Sequence, residues 1–377
     1  MTSTFFAAQE GSSKSLHLDL NRDDDQVVVA SNTVFRIYKI EDNRFVERLN
    51  LRGTKSVNLN YSCNDVCWSK HDSNVIATAA TNGAVVLWNL ARPKKQEHVF
   101  SEHTRAVNKV TFHPTEANYL LSGSQDGSLT LFDCRIHDSV GSFYTNTPSV
   151  RDVSFAPHDC NEIVVGTESG QLQLWDVRKF DKCTKKWPAH NDHIFAVDWH
   201  PESRYTLASA GRDKQIKIWN TKDATLEYFV HSIGPVGKIK WRPRYNFHIA
   251  SCSGLVGDFS INVWDVRRPY LPLAIFAEHR NVATDITWLQ DSDRLLSGGK
   301  DNLIHHYFAD SSRPALKANP AGLAINTHGH ISHAFRDSGT STIASSSSIL
   351  SGLPDVVPRT PQSTPTESFR ISSFFTK

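Results

Sequence analysis

The sequence predicts an all-β fold, a β-propeller of seven blades, from two registers of aromatic residues and from evenly spaced turns. The first register closes each repeat and holds Trp88, Phe132, Trp175, Trp219, Trp264 and Tyr307, in steps of 44, 43, 44, 45 and 43 residues. The second ends the first strand of each repeat and holds Trp68, Phe112, Phe155, Trp199, Trp241 and Trp288. Short strands repeated with a period near 40–45 residues are typical of propellers, in which each repeat is a four-stranded blade.

The repeat is clearest from His190 to Asn220, where three short apolar runs are separated by His-Pro and Gly-Arg-Asp turns. The weakest repeat is blade 1, in which Leu16, Leu18 and Leu20 alternate and Tyr38 stands at the closing position. The other predicted blades cover about 62–100, 103–143, 149–187, 190–230, 235–276 and 279–308. The dipeptides Asn82-Gly83, Asp126-Gly127 and Ser169-Gly170 are the predicted hairpin turns of blades 2, 3 and 4.

The propeller is expected to span residues 16–310, with segments of different character on either side. Residues 1–15 are predicted to be a flexible N-terminus, although Phe5-Phe6 could instead add a ring-closing strand to the last blade. Residues 311–337 have no clear period and are predicted to be an irregular extension. Residues 338–377 contain 17 Ser and Thr and four Pro among 40 residues. That composition cannot bury enough apolar surface to fold, so a disordered tail is expected.

Charge and cysteine content exclude several classes of function. Lys and Arg number 41 and Asp and Glu number 39, a net charge of +2, whereas general nucleic-acid binders usually have a strong basic field. The six cysteines are scattered and form no C-x-x-C motif, which favours reduced thiols in a cytosolic or nuclear compartment. Residues 1–10 have no secretory pattern, and no apolar run approaches the roughly 20 residues that span a bilayer.

Three repeats share a set of polar residues with a fixed spacing. The sets are His103, Ser122, Asp126 and Phe132; His190, Ser209, Asp213 and Trp219; and His279, Ser297 and Asp301, followed by Tyr307. With this pattern the chain resembles WD-repeat proteins. The resemblance implies that in each blade the His donates a hydrogen bond to the Asp while the Ser links the His to the closing aromatic. Blades 2, 4 and 6 lack a full set.

Longer strings resemble one family of WD-repeat proteins, the propeller subunits of the second GATOR complex. They include ATAATNGAVVLWNL (77–90), VNKVTFHPTEANYLLSGSQDG (107–127) and INVWDVRRP (261–269). The resemblance covers about 20–325 and implies a scaffold that assembles with other WD-repeat subunits. It further implies a relay of amino-acid availability to TOR complex 1, in the cytoplasm and, through partners, at the lysosomal surface. Members of that family continue into a helical solenoid and a RING-like zinc domain, but this sequence has no such Cys/His cluster, so no zinc or ligase function is carried over.

The His/Ser/Asp sets superficially suggest a hydrolase. An active site is built once, however, whereas this set occurs three times, and no G-x-S-x-G motif presents a nucleophile. The pairs and triplets of histidines (His190 and His193; His328, His330 and His333) lack thiol or carboxylate partners at ligand spacing, and no phosphate-binding glycine motif occurs. We therefore expect no enzymatic activity, no metal and no cofactor.

Basic residues follow the closing aromatic in several blades. They are Arg92, Lys94, Lys95, Arg135, Arg178, Lys179, Arg267 and Arg268. Because the connections between the third and fourth strands all leave a propeller on one side, these residues predict an electropositive face that docks an acidic partner or an anionic membrane surface. The strings Trp175-Asp176-Val177-Arg178 and Trp264-Asp265-Val266-Arg267 also resemble the WDxR box of cullin-4 substrate receptors. A ligase adaptor is therefore the alternative function.

Overall fold

The structure is a computed structural model, and it describes residues 16–41, 44–52, 62–179, 181–254, 258–291, 293–301, 303–308, 323–325 and 331–333. The predicted fold class is confirmed: the structure is an all-β propeller of seven blades. The N-terminal segment with Phe5-Phe6 and the tail 338–377 lie outside the described residues. No helix in the described part of the chain is long and apolar enough to cross a membrane.

Six blades are four-stranded antiparallel sheets in which the strands follow chain order from the axis outwards. Blade 1 contains β1 (His17–Leu20), β2 (Gln26–Ala30), β3 (Phe35–Glu41) and β4 (Arg44–Asn50). Blade 2 contains β5 (Cys63–Trp68), β6 (Val75–Ala80), β7 (Val85–Asn89) and β8 (Gln96–Phe100). Blade 3 contains β9 (Val107–Phe112), β10 (Tyr119–Ser124), β11 (Ser128–Asp133) and β12 (Asp138–Tyr144). Blade 4 contains β13 (Val150–Phe155), β14 (Glu162–Thr167), β15 (Gln171–Asp176) and β16 (Lys185–Pro188).

Blade 5 contains β17 (Ile194–Trp199), β18 (Thr206–Gly211), β19 (Gln215–Asn220) and β20 (Thr225–His231). Blade 6 contains β21 (Val236–Trp241), β22 (His248–Ser253), β23 (Ile261–Asp265) and β24 (Pro272–Phe276). Blade 7 has three described strands, β25 (Ala283–Trp288), β26 (Arg294–Gly299) and β27 (Leu303–Tyr307). The extension that was predicted to be irregular contains a two-stranded hairpin of β28 (Leu323–Ile325) and β29 (Ile331–His333).

The sheet registers correct one aromatic position. Trp219 pairs with Leu207 in blade 5, and the equivalent pair in blade 7 is His306 with Leu295. The closing residue of blade 7 is therefore His306, and the prediction of Tyr307 was wrong by one residue. The reason is the hairpin turn, which is one residue shorter after Asp301 than in blade 5.

Apolar packing joins each blade to the next. Seven hydrophobic clusters appear among the described residues, and each combines side chains of two neighbouring blades. The cluster between blades 7 and 1 packs Leu16 and Leu18 against Leu296 and Leu303. The Cβ that any other residue would add at Gly298 would lie 2.5 Å from the side chain of Leu18, so this junction is as tightly packed as a protein interior.

Glycine is required at the hairpin turns of blades 3 and 4 because the backbone there is left-handed and touches the next blade. Gly170 has a φ of +77°, and an added Cβ would lie 2.2 Å from the carbonyl oxygen of His190. Gly127 also has a left-handed backbone, and an added Cβ there would lie too close to the carbonyl oxygen of Thr147, just before blade 4. Only glycine adopts this conformation without strain, so the turn also sets how closely two blades approach.

The innermost strands are joined by aspartates that line the axial channel. In five of the seven junctions an aspartate accepts a hydrogen bond of 2.8–3.2 Å from a backbone N–H of the next blade. The pairs are Asp19 with Trp68, Asp65 with Val110, Asp152 with Val197, Asp198 with Trp241 and Asp285 with Leu18. An inner strand has a free edge, so these carboxylates satisfy donors that its own sheet leaves unpaired.

Lysines complete this ring. Lys109 of blade 3 lies 3.0 Å from Asp65, and Lys240 of blade 6 lies 2.7 Å from Asp198. Asp65 is buried, but the nearby lysine ammonium groups outweigh the desolvation and lower its pKa. Asp65 is therefore held ionised, and its carboxylate binds the inner strand of blade 2 to that of blade 3.

Asp285 closes the ring between blades 7 and 1. We expect Asp285→Ala to lower the free energy of unfolding by about 1–3 kcal/mol, because the N–H of Leu18 loses its acceptor in a buried position. Urea denaturation measures this change, and Asp223→Ala, at an exposed position, is the matched control. Equal stability of the two variants would contradict a role of the carboxylate in ring closure.

Candidate functional site

The set of polar residues in blade 5 forms one continuous chain of hydrogen bonds, which we call a relay. Nδ1 of His190 lies 2.9 Å from both carboxylate oxygens of Asp213, and Nε2 lies 2.8 Å from Oγ of Ser209. The indole N–H of Trp219 donates to the same hydroxyl at 2.9 Å. The relay thus connects the loop before the blade, its hairpin turn and its second and third strands.

Blade 3 contains a shorter version. His103 lies 3.2 Å from Asp126 and 2.6 Å from the hydroxyl of Ser122. Phe132 has no donor, so the relay ends at the serine. Burial lowers the pKa of His103, and the charge of Asp126 opposes this only in part, so the histidine is neutral. Its ring connects an acceptor, the carboxylate of Asp126, to a donor, the hydroxyl of Ser122.

Blade 7 contains the third relay, with a histidine as its last member. His279 lies 2.8 Å from Asp301 and 2.8 Å from the hydroxyl of Ser297, which in turn lies 2.6 Å from Nε2 of His306. The tryptophans of the other blades also find partners that the sequence did not indicate. They are Thr78 for Trp88, Gln173 for Trp175 and Ser251 for Trp264.

The geometry of the relays indicates a structural role. Ser122, Ser209 and Ser297 are each 0% exposed, so their hydroxyl groups cannot reach a substrate. Burial alone would raise the pKa of Asp213, but the hydrogen bond and the charge of His190 outweigh it and lower that pKa. This ionised carboxylate fixes the ring of His190, as in a catalytic triad, yet its serine is sealed inside the sheet.

The predicted basic face is less positive than its sequence suggested, because its arginines are paired. Arg135 holds Asp133 with two hydrogen bonds of 3.0 and 2.6 Å, and Arg178 and Arg267 hold Asp176 and Asp265 in the same way. The Arg178 guanidinium lowers the pKa of Asp176. These pairs close the turn after the third strand, which gives the arginine of each WDxR string a local structural role.

The remaining basic residues differ in their surroundings. Arg92 pairs with Glu97 at 2.8 Å, Arg268 lies 3.8 Å from Asp265, and Lys95 donates to the carbonyl oxygen of Leu90. Lys94 and Lys179 make no ion pair with any described residue. Among the predicted set, their ammonium groups have neither an ion pair nor a hydrogen bond to a described residue, whereas the ammonium group of Lys95 has only its bond to a carbonyl oxygen.

One group of residues in the axial channel could in principle hold a cation. Single ligand atoms of His17, Asp65 and Asp285 lie within 4.8 Å of one another. Ammonium groups already occupy this space, since Lys109 lies 3.0 Å from Asp65 and Lys238 lies 3.7 Å from Asp285. These residues therefore do not suit a metal ion. The sequence does not indicate this cluster, because its members lie in different blades.

Comparison with known proteins gives the same architecture. A family described as Nucleolar protein 10-like, N-terminal domain, a β-propeller, matches residues 12–257, and a WD domain, G-beta repeat, matches residues 271–307. A chain in the crystal structure of the Mitotic Checkpoint Complex superimposes with a TM-score of 0.66 and covers 80% of this chain and 89% of its own length. At 19% identity, that likeness concerns the fold alone.

Closer relatives carry one name, GATOR2 complex protein WDR24. The human protein is 48% identical over 324 residues, which is 84% of this chain and 41% of the human protein. The Drosophila melanogaster protein is 49% identical over 84% of this chain and 41% of its own length, and the Xenopus laevis protein is 46% identical over 87% and 42%. This chain thus spans about two fifths of the length of these relatives.

The fold, the relays and the matched repeats define a WD40-repeat β-propeller. The chain belongs to the propeller family described as Nucleolar protein 10-like, N-terminal domain, and within that class it resembles GATOR2 complex protein WDR24 over most of its length.

The relay of blade 5 should contribute stability. Asp213→Ala is expected to lower the free energy of unfolding by about 1–3 kcal/mol, because the buried His190 loses its partner. Chemical denaturation measures this loss, with the exposed Asp223→Ala as control. Weaker binding to a protein partner at an unchanged melting temperature would contradict the structural role.

His305 should make the protein sensitive to acid. Burial and the positive charge of Arg294 lower the pKa of this histidine to about 4, against about 6.5 in an unfolded chain. The unfolded state therefore binds more protons between these values, and the stability present above pH 6.5 is lost as the pH falls towards 4. Other blades have an aliphatic residue at this register, such as Ile218.

His305→Leu is accordingly expected to stabilise the protein by about 1–2 kcal/mol more at pH 5 than at pH 7.5. Urea denaturation at both values measures the difference. An equal effect at the two values would show that His305 does not bind a proton on unfolding.

Proposed function

We propose that this chain is a non-enzymatic scaffold subunit of a GATOR-type complex. The observation that carries the proposal is the 46–49% identity to three proteins named GATOR2 complex protein WDR24, which covers 84–87% of this chain. Proteins of this identity share a backbone fold, so this chain can present its propeller loops to partners as those proteins do. The partners proposed for this chain are other protein subunits of such a complex, themselves WD-repeat propellers.

The rest of the assignment follows the resemblance seen in the sequence. We propose that the complex relays amino-acid availability to TOR complex 1 and that the chain works in the cytoplasm and, through its partners, at the lysosomal surface. The sealed serines of the three relays support a role without catalysis. The cullin-4 alternative receives no support, since the arginine of each WDxR string is already held by its own aspartate.

The side of the disc formed by the loops between third and fourth strands is the candidate docking face. Lys94 of blade 2 and Lys179 of blade 4 extend from this face without a described carboxylate partner, so they can pair with acidic side chains of another subunit. Such charges mainly steer association and are screened by salt. The arginines of the same loops are expected to support the shape of this face rather than to bind.

Affinity purification of the tagged chain from cells, followed by mass spectrometry, tests the proposal. The expected result is co-purification of other GATOR2 subunits, with several-fold lower recovery for the double variant Lys94→Glu and Lys179→Glu. The control, Arg212→Glu with Lys214→Glu, reverses two exposed charges at a hairpin turn on the opposite side of the disc. Absence of GATOR2 subunits would overturn the function, whereas equal recovery of the two variants would overturn only the docking face.

A further inference from the structure

We propose that blade 7 contains a proton-operated switch: its relay takes up one proton by reversing the direction of its hydrogen bonds. The members of this relay are, in order, Asp301, His279, Ser297, His306 and Glu278. The inference does not depend on the proposed function. It rests on the difference between blade 7 and the other blades that have a relay.

The difference lies at the closing position. In blade 5 the last member is Trp219, whose indole nitrogen can only donate a hydrogen bond. In blade 7 it is His306, which has a second ring nitrogen. Oε2 of Glu278 lies 3.5 Å from that second nitrogen, Nδ1. Both atoms are buried, and neither has a hydrogen-bond partner among the residues that the structure describes.

The direction of each hydrogen bond in the neutral relay follows from Asp301. Its carboxylate also accepts the backbone N–H of Arg280 at 2.7 Å. Burial alone would raise the pKa of Asp301, but these hydrogen bonds outweigh it and keep the group ionised. Nδ1 of His279 therefore carries a proton, and its Nε2 accepts from the hydroxyl of Ser297.

The second half of the neutral relay follows from the first. Because the hydroxyl hydrogen of Ser297 points to His279, its oxygen accepts from Nε2–H of His306. The proton of His306 is thus on Nε2, and Nδ1 presents a lone pair to the carboxylate of Glu278. Two acceptors then face each other in a buried place, which costs free energy. One proton is missing between them.

A single added proton removes this conflict. It binds Nδ1 of His306, and the Nε2 proton of His306 passes to the oxygen of Ser297. The former hydroxyl proton of Ser297 passes to Nε2 of His279. One N–H bond is gained in total, His279 becomes the cation beside Asp301, and His306 ends as a neutral ring whose Nδ1–H points at Glu278. Every hydrogen bond of the relay has been reversed except the one to Asp301.

The surroundings of His306 agree with this assignment of charge. Burial and the neighbouring His279 and His305 lower the pKa of His306 well below its usual value. The ring therefore changes tautomer without holding the charge. Besides the relay members, His305 on the same strand acts on His306, and Arg294 and Asp291 act on His305. Phe276 of blade 6 covers the ring of His306 at 4.7 Å.

The other relays cannot respond in this way. Blade 5 has Ala189 at the position of Glu278 as well as tryptophan at the closing position. Blade 3 has Glu102 before its histidine, but Phe132 ends its relay without a nitrogen. Blade 7 alone among these three relays combines a closing histidine with a facing carboxylate.

The switch should act on a loop at the surface. Glu278 belongs to the connection between β24 and β25 and is 25% exposed, so it is the entry point for the proton. After uptake its carboxylate is held by Nδ1–H of His306. The loop 277–282 is then more firmly bound to the blade at acidic than at neutral pH.

Nuclear magnetic resonance of histidine ring nitrogens in the full chain tests the proposal between pH 8 and pH 5.5. The expected result is a change of His306 from the Nε2–H to the Nδ1–H tautomer, together with an about threefold to tenfold gain in hydrogen-exchange protection of loop 277–282, the factor commonly associated with one hydrogen bond. A single His306 tautomer at all pH values, or a His306 that becomes a cation, would overturn the proposal.

Two variants separate the switch from general effects of acid. Glu278→Gln supplies an N–H to Nδ1 of His306 and should fix the neutral arrangement. His306→Trp restores the residue of blade 5 and should fix the same direction. Both should lose the pH response of the loop, while Asp223→Ala should retain it. A response that persists in Glu278→Gln would overturn the proposal even if His306→Trp failed to fold.

Discussion

The structure depends on one constraint. The seven innermost strands must come close enough to form a ring, and the backbone groups on their free edges must still find hydrogen-bond partners. Apolar packing brings neighbouring blades together, but it leaves backbone N–H groups pointing into a narrow channel. Aspartates such as Asp152 accept these hydrogens, and lysines such as Lys109 balance the charge. The channel is therefore rich in ionic groups because the inner edges need acceptors and the acceptors need counter-charges. Its polarity is a consequence of ring closure.

The relays solve the corresponding problem within a blade. A four-stranded sheet on its own has loops at both ends that could take several arrangements. The buried hydrogen bonds from Asp213 to Trp219 connect one loop, one turn and two strands, so that only one arrangement satisfies every donor and acceptor. Blade 7 also has a relay, but its last member is His306. Its hydrogen bonds can therefore take a second set of directions, which differs from the first by one proton. His306 departs from the repeat, and it thereby makes a structural element respond to pH.

Reasoning from the sequence was most reliable where the signal was periodic. The two aromatic registers gave the number of blades, and the spacing from His190 to Asp213 indicated which residues meet. It failed where one repeat is a residue shorter. At the shortened hairpin turn of blade 7, the sequence predicted Tyr307 as the closing residue, whereas the sheet register shows that it is His306. It also assigned free charge to Arg178 and Arg267, although each folds back onto an aspartate two residues earlier. Such short-range pairs can be found in a sequence by searching for an aromatic-Asp-x-Arg string and treating it as a closed turn.

The sequence by itself determined the fold class, the order of the blades and the family, because apolar periodicity and turn residues act locally and are repeated many times. Only the tertiary structure decided what lies in the channel and what faces His306. Asp65, Lys109 and Asp285 come from three different blades, and the ring of His306 meets Glu278 only after the chain has crossed the sheet. Contacts of this kind depend on distances between strands that are far apart in sequence. The repeat therefore predicted the fold class and the order of the blades. The closure of the ring decided which polar groups meet inside it.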